Sequence, residues 1–432
     1  MGVTALDDHM PLGRSYVPLY MIVMLGCSIA GCITPRVYSP AYDDLRSGDE
    51  PPLVRVLLPA DSSVFVVRGE GRTSIRTTKT AAEPSAFSSA GPVRIVRFKE
   101  GIELFTEEGV KLDSGLSGLW IRASAGAEKL WLNGRPYYGM LIFGFGPNGS
   151  LMVINRLNLD TYLDGVLTPE LGERFPEEFE AVKAQAVASR TYALAHLGQY
   201  PDAPYDLRAD VSDQIYVGAS QQRDWVDRAV AATRGEVITY NGHMIDAYYH
   251  STCGGRTDAI ESIWFKPRRP YLQSVDDDTT CKWSKYWNWT ETFDSATLLG
   301  NLRAFRRRQE APPIGDFTVI RDIRFSDSTR GGRNSNMTIV TPGGEWTIAS
   351  DEIRWALGRP SRPEGILPSS RFSLELRRAP DGSVIGAVAN GRGYGHGVGL
   401  CQCGMIGQAR AGADYRDILK HYYTGVRVER AY

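Results

Sequence analysis

The sequence predicts a protein of the α+β class, with a β-rich N-terminal region followed by mixed helices and strands. Short runs rich in β-branched and aromatic residues, such as "LVRVLL" and "SVFVVRG", recur from Leu53 and are separated by Gly, Asn and Pro. No long helical period appears before about residue 170. Helical patterns and further strand-like runs then follow one another to the end of the chain, which is why the two kinds of element are predicted to mix there.

The composition limits the classes of partner. The chain has 432 residues, enough for two or more domains, and 49 Lys and Arg residues face 50 Asp and Glu residues, for a net charge of -1. Because phosphate binding needs a basic surface, this balance argues against nucleic acid as a partner. It does not argue against sugars, most of which are neutral.

The first 32 residues have the pattern of a lipoprotein signal peptide. The apolar run "YVPLYMIVMLGCSIAGC" from Tyr16 is shorter than a spanning helix requires, and it ends in small residues. Its last four residues, ending at Cys32, resemble a bacterial lipobox. That resemblance implies acylation of Cys32 and a protein tethered to a membrane in the cell envelope, on the periplasmic or extracytoplasmic face. An uncleaved anchor or a buried hairpin is the alternative.

Later segments are predicted in turn. Residues 33–50 are polar and contain Pro, as expected of a linker, and residues 51–134 form the β-rich region. A helix is predicted from Pro176, because proline suits a first helical position and two acidic residues follow in the first turn. "DWVDRAVAATRG" predicts a second helix. The pair Asn241-Gly242, between two strand-like runs, predicts a hairpin.

Three stretches rich in Gly or polar residues fall at predicted strand ends or turns. They are "YHSTCGGRT" at 249–257, "GRGYGHGVGLCQCG" at 391–404, and the turn that holds Glu170. Glycine permits close approach of the backbone. The second stretch has no βαβ unit around it, so a dinucleotide-binding role is not expected.

Several motifs together resemble the SpoIID/LytB (stage II sporulation protein D) family. They are "YLDGVLTPEL…FPEEFEAVKAQAVASRTYAL", "DQIYVG", "YYHSTCGGRT", "ESIW…RPYLQSV", "ILPSSRF", "GRGYGHGVGLCQCGMIGQARAG" and "YRDILKHYYTGV", in the order the family has them. The resemblance covers residues 135–432, about two-thirds of the chain, and implies a SpoIID-like catalytic domain there. It implies peptidoglycan glycan strands as the partner, either for a lytic transglycosylase or for a protein that enhances a cell-wall amidase.

Glu170 occupies the position of the family's catalytic acid, just before the helix "AVKAQAVASRTYA". The chemistry of the reaction supports this assignment, because cleavage of a glycosidic bond needs an acid to protonate the leaving oxygen. No motif marks a second carboxylate, although Asp164, Glu173 and Asp213 are near in sequence. A transglycosylase needs none, because the sugar's C6 hydroxyl attacks and leaves a 1,6-anhydro end. Partial burial is expected to raise the pKa of Glu170. The alternative is an ordinary surface carboxylate.

Other residues in these motifs are predicted to bind substrate, each with a structural alternative. For Arg190 burial against a carboxylate is favoured over a sugar contact. Gln185 is predicted either to bond backbone near Glu170 or to face the cleft. The full predicted set is Gln185, Arg190, His250, Ser251, Tyr394, His396 and Gln402.

Six cysteines are present, of which Cys27 lies in the signal peptide and Cys32 is predicted to be lipidated. The remaining four are Cys253, Cys281, Cys401 and Cys403. Two disulfides, a zinc site formed by His250, Cys253, Cys401 and Cys403, and free thiols are the three alternatives. The predicted reaction requires no cofactor, so a zinc ion would be structural.

The sequence therefore predicts a lipid-anchored lytic transglycosylase of peptidoglycan, with a cleft formed by the Glu170 turn and the two Gly-rich strand ends. A glycan-binding protein that stimulates a separate amidase is the rival hypothesis. A third hypothesis is a scaffold that acts through its N-terminal β region.

Overall fold

The computed structural model describes residues 50–432, apart from residues 61, 80–82, 100, 125–128, 147–148, 311–314, 316 and 363–364. Within these residues twelve strands precede the first α-helix, and helices and strands are interspersed after it. The predicted α+β class and β-rich N-terminal region are confirmed. The predicted signal peptide, its lipidation site Cys32 and nearly all of the linker lie outside the described residues. Each helix that is described falls short of the length and hydrophobicity of a membrane span.

The described chain divides into two compact units. The first contains residues 50–247 together with Arg427–Tyr432, and the second contains Tyr248–Val426. The predicted limit between residues 134 and 135 falls inside the first unit, at the turn between two paired strands. The contacts of the structure thus divide the chain at a different place.

The first unit is rich in strands. They are β1 (Leu53–Leu58), β2 (Val64–Gly69), β3 (Thr73–Thr78), β4 (Ala86–Ser89), β5 (Val93–Phe98), β6 (Gly101–Thr106), β7 (Lys111–Leu116), β8 (Gly118–Ala123), β9 (Leu130–Leu132), β10 (Arg135–Tyr137), β11 (Met140–Phe145), β12 (Leu151–Asn158), β13 (Leu207–Arg208), β14 (Glu236–Tyr240), β15 (His243–Met244) and β24 (Arg427–Arg430). Its helices are α1 (Leu159–Leu171), α2 (Phe179–Ala195) and α3 (Asp224–Ala232), with a 3-10 turn at Pro176–Glu178.

These strands form three sheets, in the orders β13-β1-β12-β11-β8-β3-β4, β10-β9-β2-β5-β6-β7 and β15-β14-β24. Alternate residues of β1 (Val54, Val56 and Leu58) are buried, as the period of two in its sequence requires. The predicted hairpin at Asn241-Gly242 is confirmed, because β14 and β15 pair in antiparallel fashion on either side of it.

The second unit contains strands β16 (Tyr249–His250), β17 (Trp289–Asp294), β18 (Asp322–Ser328), β19 (Asn334–Thr341), β20 (Gly344–Ala349), β21 (Phe372–Arg378), β22 (Val384–Gly391) and β23 (Leu400–Cys401). Its helices are α4 (Ile260–Trp264), α5 (Ser295–Arg308), α6 (Glu352–Leu357), α7 (Gln402–Arg410) and α8 (Tyr415–Tyr422). The sheets are β17-β22-β21, β18-β19-β20 and β16-β23. Apolar residues of α5 and α6 pack with the two three-stranded sheets in one core.

The helix predicted from Pro176 is confirmed, because the 3-10 turn Pro176–Glu178 leads directly into α2. The sequence did not predict the earlier helix Leu159–Leu171, which contains Glu170, so this residue lies in a helix and not in the predicted turn. Asn158 caps this earlier helix, accepting a hydrogen bond on Oδ1 from the backbone N–H of Asp160 at 2.9 Å. A Gly and a Pro inside this helix weaken the sequence pattern, because both residues have poor helix propensity. Tertiary packing overrides that local preference.

A buried arginine ties α2 to its neighbours. Arg190 is fully buried, and its guanidinium lies 3.2 Å from the carboxylate of Asp160 on α1. Its other hydrogen bonds go to Thr233 Oγ1, Tyr432 Oη and the carbonyls of Val230 and Glu236. The N–H groups of Arg190 are thus committed to the fold, which favours the predicted structural role over a sugar contact.

We predict that Arg190→Ala lowers the free energy of unfolding by about 3–5 kcal/mol, because it leaves a carboxylate and several buried acceptors without their donor. Urea titrations followed by circular dichroism measure the change. The control is Arg223→Ala, which removes an exposed ion pair with Glu173 and should cost less than about 1 kcal/mol. Equal losses in the two variants would contradict this role.

Candidate active site

Glu170 lies in the last turn of α1, with its side chain partly exposed. The backbone N–H of Ile215 donates a hydrogen bond to its Oε1 at 3.2 Å. Two residues later Gly172 ends the helix with a φ of 65°. The carboxyl group is therefore oriented from a neighbouring segment and is still accessible at the end of a rigid element.

Pro169, next to Glu170, determines where the segment that contains Ile215 is bonded to α1. Pro169 has no N–H, so the carbonyl of Gly165, four residues earlier, lacks its usual helical donor. The backbone N–H of Val217 donates to this carbonyl instead, at 3.2 Å. The attachment brings Ile215, two residues away from Val217, within reach of Glu170.

The absence of a side chain at Gly165 makes this attachment sterically feasible. A Cβ atom there would lie 2.5 Å from the ring of Tyr216 and 2.7 Å from the carbonyl oxygen of Gly218. The hydroxyl of Tyr216 donates to Oδ1 of Asn155 at 2.7 Å, which fixes the ring beneath α1. Any larger residue at position 165 would push away the segment that orients Glu170.

Asp213 anchors the start of the same segment. Its carboxylate accepts hydrogen bonds from the side chains of Tyr192 (3.2 Å), Gln199 (2.7 Å) and Tyr200 (3.0 Å) and from the backbone N–H of Arg208 (2.8 Å). These four hydrogen bonds hold the carboxylate in place. Asp213 thus acts as a structural anchor for the loop.

Asp164 is a second unusual acid of α1. Burial raises the pKa of its carboxyl group to about 8, and the negative charges of Asp227 and Asp160 add to the shift. Its Oδ1 atom is buried and accepts no hydrogen bond from the described residues. Asp164 therefore carries a proton at neutral pH, a property that its sequence surroundings do not reveal.

In the second unit the two Gly-rich stretches are neighbours. Strands β16 and β23 pair in parallel, with His250 opposite Cys401. Thr252 and Tyr394 exchange backbone hydrogen bonds of 3.0 and 2.8 Å. The structure therefore brings together two of the three stretches singled out in the sequence. Glu170 belongs to the other unit, and the cleft that was to join all three stays a prediction.

Close packing explains the alternating glycines of residues 393–399. A Cβ atom at Gly397, whose φ is 87°, would lie 2.1 Å from the guanidinium carbon of Arg333. Arg333 is fully buried and pairs with Asp258 at 2.7 Å. The glycines thus let the backbone lie against a buried ion pair.

Two histidines of these stretches are uncharged at neutral pH. Burial lowers the pKa of His396 to about 4 and that of His250 well below its usual value. His396 is half-buried, with Nε2 2.9 Å from the carbonyl oxygen of Tyr249. The ring of Trp264 lies 4.7 Å from that of His396. A neutral imidazole beside an indole is a surface suited to a sugar, and sequence analysis had not singled out Trp264.

The other predicted substrate contacts differ in accessibility. Ser251 and Tyr394 are half-buried, and the ring of Tyr394 packs against that of Tyr286 with centroids 4.3 Å apart and planes tilted by 34°. Gln185 and Gln402 are buried, and Nε2 of Gln185 donates to Ser189 Oγ at 3.0 Å. Gln185 is buried, as Arg190 is, and such burial is typical of a residue with a structural role.

The cysteines form a different group from the predicted one. The four described cysteines are free thiols. Cys253 and Cys401 lie together with Cys281 and Asp277, in an arrangement of donor atoms able to hold a metal ion. His250 and Cys403, both named in the predicted zinc set, are not part of this group.

Comparison with known proteins identifies the family. A family model described as Stage II sporulation protein matches residues 147–240, and one described as a domain of unknown function (DUF8618) matches residues 278–399. An uncharacterised protein of Brachyspira hyodysenteriae (strain ATCC 49526 / WA1) is 30% identical over 85% of this chain and 95% of its own length. Stage II sporulation protein D of Bacillus amyloliquefaciens is 30% identical over 64% of this chain and 76% of its own.

A third relative, the amidase enhancer of Bacillus subtilis (strain 168), is 29% identical over 61% of this chain but only 39% of its own length. The chain belongs to the SpoIID family, as its motifs had indicated. Glu170 lies within the residues that the SpoIID model matches.

The protonated state of Asp164 makes stability depend on pH. The folded chain keeps this proton up to about pH 8, whereas an unfolded Asp loses it near pH 4. Stability should therefore fall as pH rises through this range. Asp164→Asn removes the effect, so its stability relative to the parent protein should increase between pH 5 and 8 by at least about 1 kcal/mol.

Thermal unfolding at several pH values measures this change. The control, Asp224→Asn, removes an exposed carboxylate of the neighbouring helix α3 and should leave the slope with pH unchanged. If the two variants show the same pH dependence, Asp164 is ionised in the folded chain.

Proposed function

We propose that this protein is a lytic transglycosylase of peptidoglycan, with Glu170 as general acid and then general base. The proposal rests on one observation: the carboxyl group of Glu170 is partly exposed, and a hydrogen bond of 3.2 Å from the backbone N–H of Ile215 to its Oε1 orients it. Its position just before α2, within the region that matches the SpoIID family, supports the same assignment.

The reaction needs one carboxyl group. Protonated Glu170 donates its proton to the bridging glycosidic oxygen while the bond from that oxygen to the anomeric carbon breaks. The C6 hydroxyl of the same sugar attacks the anomeric carbon and passes its proton to the Glu170 carboxylate. The products are a new chain end and a 1,6-anhydro end, the acid is regenerated, and no water is consumed.

The neighbouring acids support a mechanism with a single carboxyl group. Asp213 is held by four donors, and Glu173 forms an exposed ion pair with Arg223. Asp164 is six residues before Glu170, which corresponds to a helical rotation of about 240°, so the two side chains leave α1 on different sides. A hydrolase of the usual kind would need a second carboxylate facing the same bond.

A second function deserves a test because one relative is named an amidase enhancer. In that case the protein binds glycan strands and stimulates a separate cell-wall amidase without cleaving the strand itself. The half-buried Ser251, Tyr394 and His396 supply polar and aromatic groups for either function. Both functions fit the proposed location in the cell envelope, with the chain tethered through a lipid on Cys32.

We predict that the purified protein releases fragments with 1,6-anhydro-muramyl ends from peptidoglycan glycan strands, and that Glu170→Gln lowers the rate by at least about 100-fold. Mass spectrometry of the products measures both results. Glu173→Gln is the matched control, because it changes an exposed acid three residues away and should retain activity. Circular dichroism verifies that both variants are folded.

Other results would exclude the proposal. Reducing ends without the anhydro mass indicate a hydrolase. Glycan binding and amidase stimulation that persist in Glu170→Gln, with no turnover by the parent protein, indicate the enhancer.

A further inference from the structure

Four potential metal ligands from separate parts of the second unit meet in its interior. They are Cys253, just after β16, Asp277 and Cys281 in the segment before β17, and Cys401 at the end of β23. All four are buried, and one donor atom of each lies within 4.8 Å of the others. Residues 148 positions apart along the chain, such as Cys253 and Cys401, come into contact here.

We propose that these four side chains form a structural zinc site with three thiolate ligands and one carboxylate ligand. Three sulfur ligands favour zinc over magnesium or calcium, which prefer oxygen. Four protein ligands that exclude solvent are the mark of a structural rather than a catalytic site. The proposal does not depend on the transglycosylase assignment, because Glu170 belongs to the other unit.

The spacing of the sulfur atoms fits ligands around one ion. Sγ of Cys253 and Sγ of Cys281 are 3.6 Å apart. Zinc–sulfur bonds of about 2.3 Å in a tetrahedron place two sulfur atoms about 3.8 Å apart. A disulfide would require about 2.05 Å.

The carboxylate is oriented as a ligand should be. Oδ1 of Asp277 accepts hydrogen bonds from the hydroxyl of Tyr422, at 2.6 Å, and from Thr280 Oγ1. Its Oδ2 points at Sγ of Cys253, 3.0 Å away. One oxygen is thus held by neighbours while the other faces the thiols, the arrangement by which an outer shell orients a metal ligand.

Backbone N–H groups point at the sulfur atoms. Sγ of Cys401 accepts from the N–H of Cys253, at 3.2 Å, and of Gly404, at 3.3 Å. Sγ of Cys253 accepts from the N–H of Gly255 at 3.2 Å. Such donors stabilise thiolates. With zinc bound, the charge of the ion would offset the charges of the three thiolates and the carboxylate, because uncompensated charge is very costly inside a protein.

The ion would fasten the Gly-rich surface of the second unit. Its ligands come from both Gly-rich stretches and from the segment between α4 and β17. Ser251 and Tyr394, two of the predicted sugar contacts, lie on the same two stretches and would be held in place by the ion.

The first test measures metal in the full chain, purified without chelators. We expect about one zinc ion per chain by elemental mass spectrometry. Cys281→Ser should lose most of it. Cys403→Ser is the matched control, because this thiol neighbours Cys401 but lies outside the cluster, so zinc should be retained.

A second pair of variants probes the outer shell without removing a ligand. Tyr422→Phe deletes the hydrogen bond to Asp277 and should weaken zinc affinity about 10–100-fold in competition with a chelator. Tyr423→Phe, the adjacent buried tyrosine, deletes a hydrogen bond to the carbonyl of Tyr248 and should not change zinc affinity.

Two results would overturn the proposal. One is a chain without metal in which peptide mass spectrometry finds a Cys253–Cys281 disulfide. The other is a chain whose four thiols are all alkylated while no metal is released. Equal zinc affinities of Tyr422→Phe and Tyr423→Phe would contradict the role of Asp277 as a zinc ligand oriented by Tyr422. The tyrosine pair keeps the test decisive if Cys281→Ser does not fold.

Discussion

The carbonyl oxygen of Gly165, deprived of its helical donor by Pro169, organises the surroundings of Glu170. Because that oxygen takes its hydrogen bond from Val217, a distant loop is fastened to the last turn of α1. The loop then supplies the N–H of Ile215 to the carboxyl group. A residue that usually breaks helices thus serves to orient the proposed catalytic acid.

The second unit depends on a related constraint, the close approach of backbone segments. Alternate glycines allow residues 393–399 to lie against Arg333 and the preceding Gly-rich stretch. This contact brings Cys401 to Cys253, and Asp277 and Cys281 complete the buried group. In both units, residues without side-chain bulk decide which functional groups can meet.

The structural predictions that the structure confirms are those that depend on residues close together in the sequence. The hairpin at Asn241-Gly242 and the strands from Leu53 follow from residue types within a few positions of each other, and both are confirmed. The helix at Leu159–Leu171 was missed because Pro169 and Gly165 weaken its pattern, and tertiary packing overrides that weak local preference. The structure places Cys253 and Cys401 with Asp277 and Cys281 rather than with His250 and Cys403, and no spacing rule in the sequence connects Cys253 to Asp277.

By itself the sequence determined the α+β class, the family and Glu170 as the candidate acid, since these follow from local patterns and motifs. Only the tertiary structure decided that Asp160 is the partner of Arg190, that burial raises the pKa of Asp164 and that Cys281 joins the cysteine cluster. The physical reason is that burial and ligand geometry arise from contacts between residues far apart in the chain. Local preferences carry no information about such contacts.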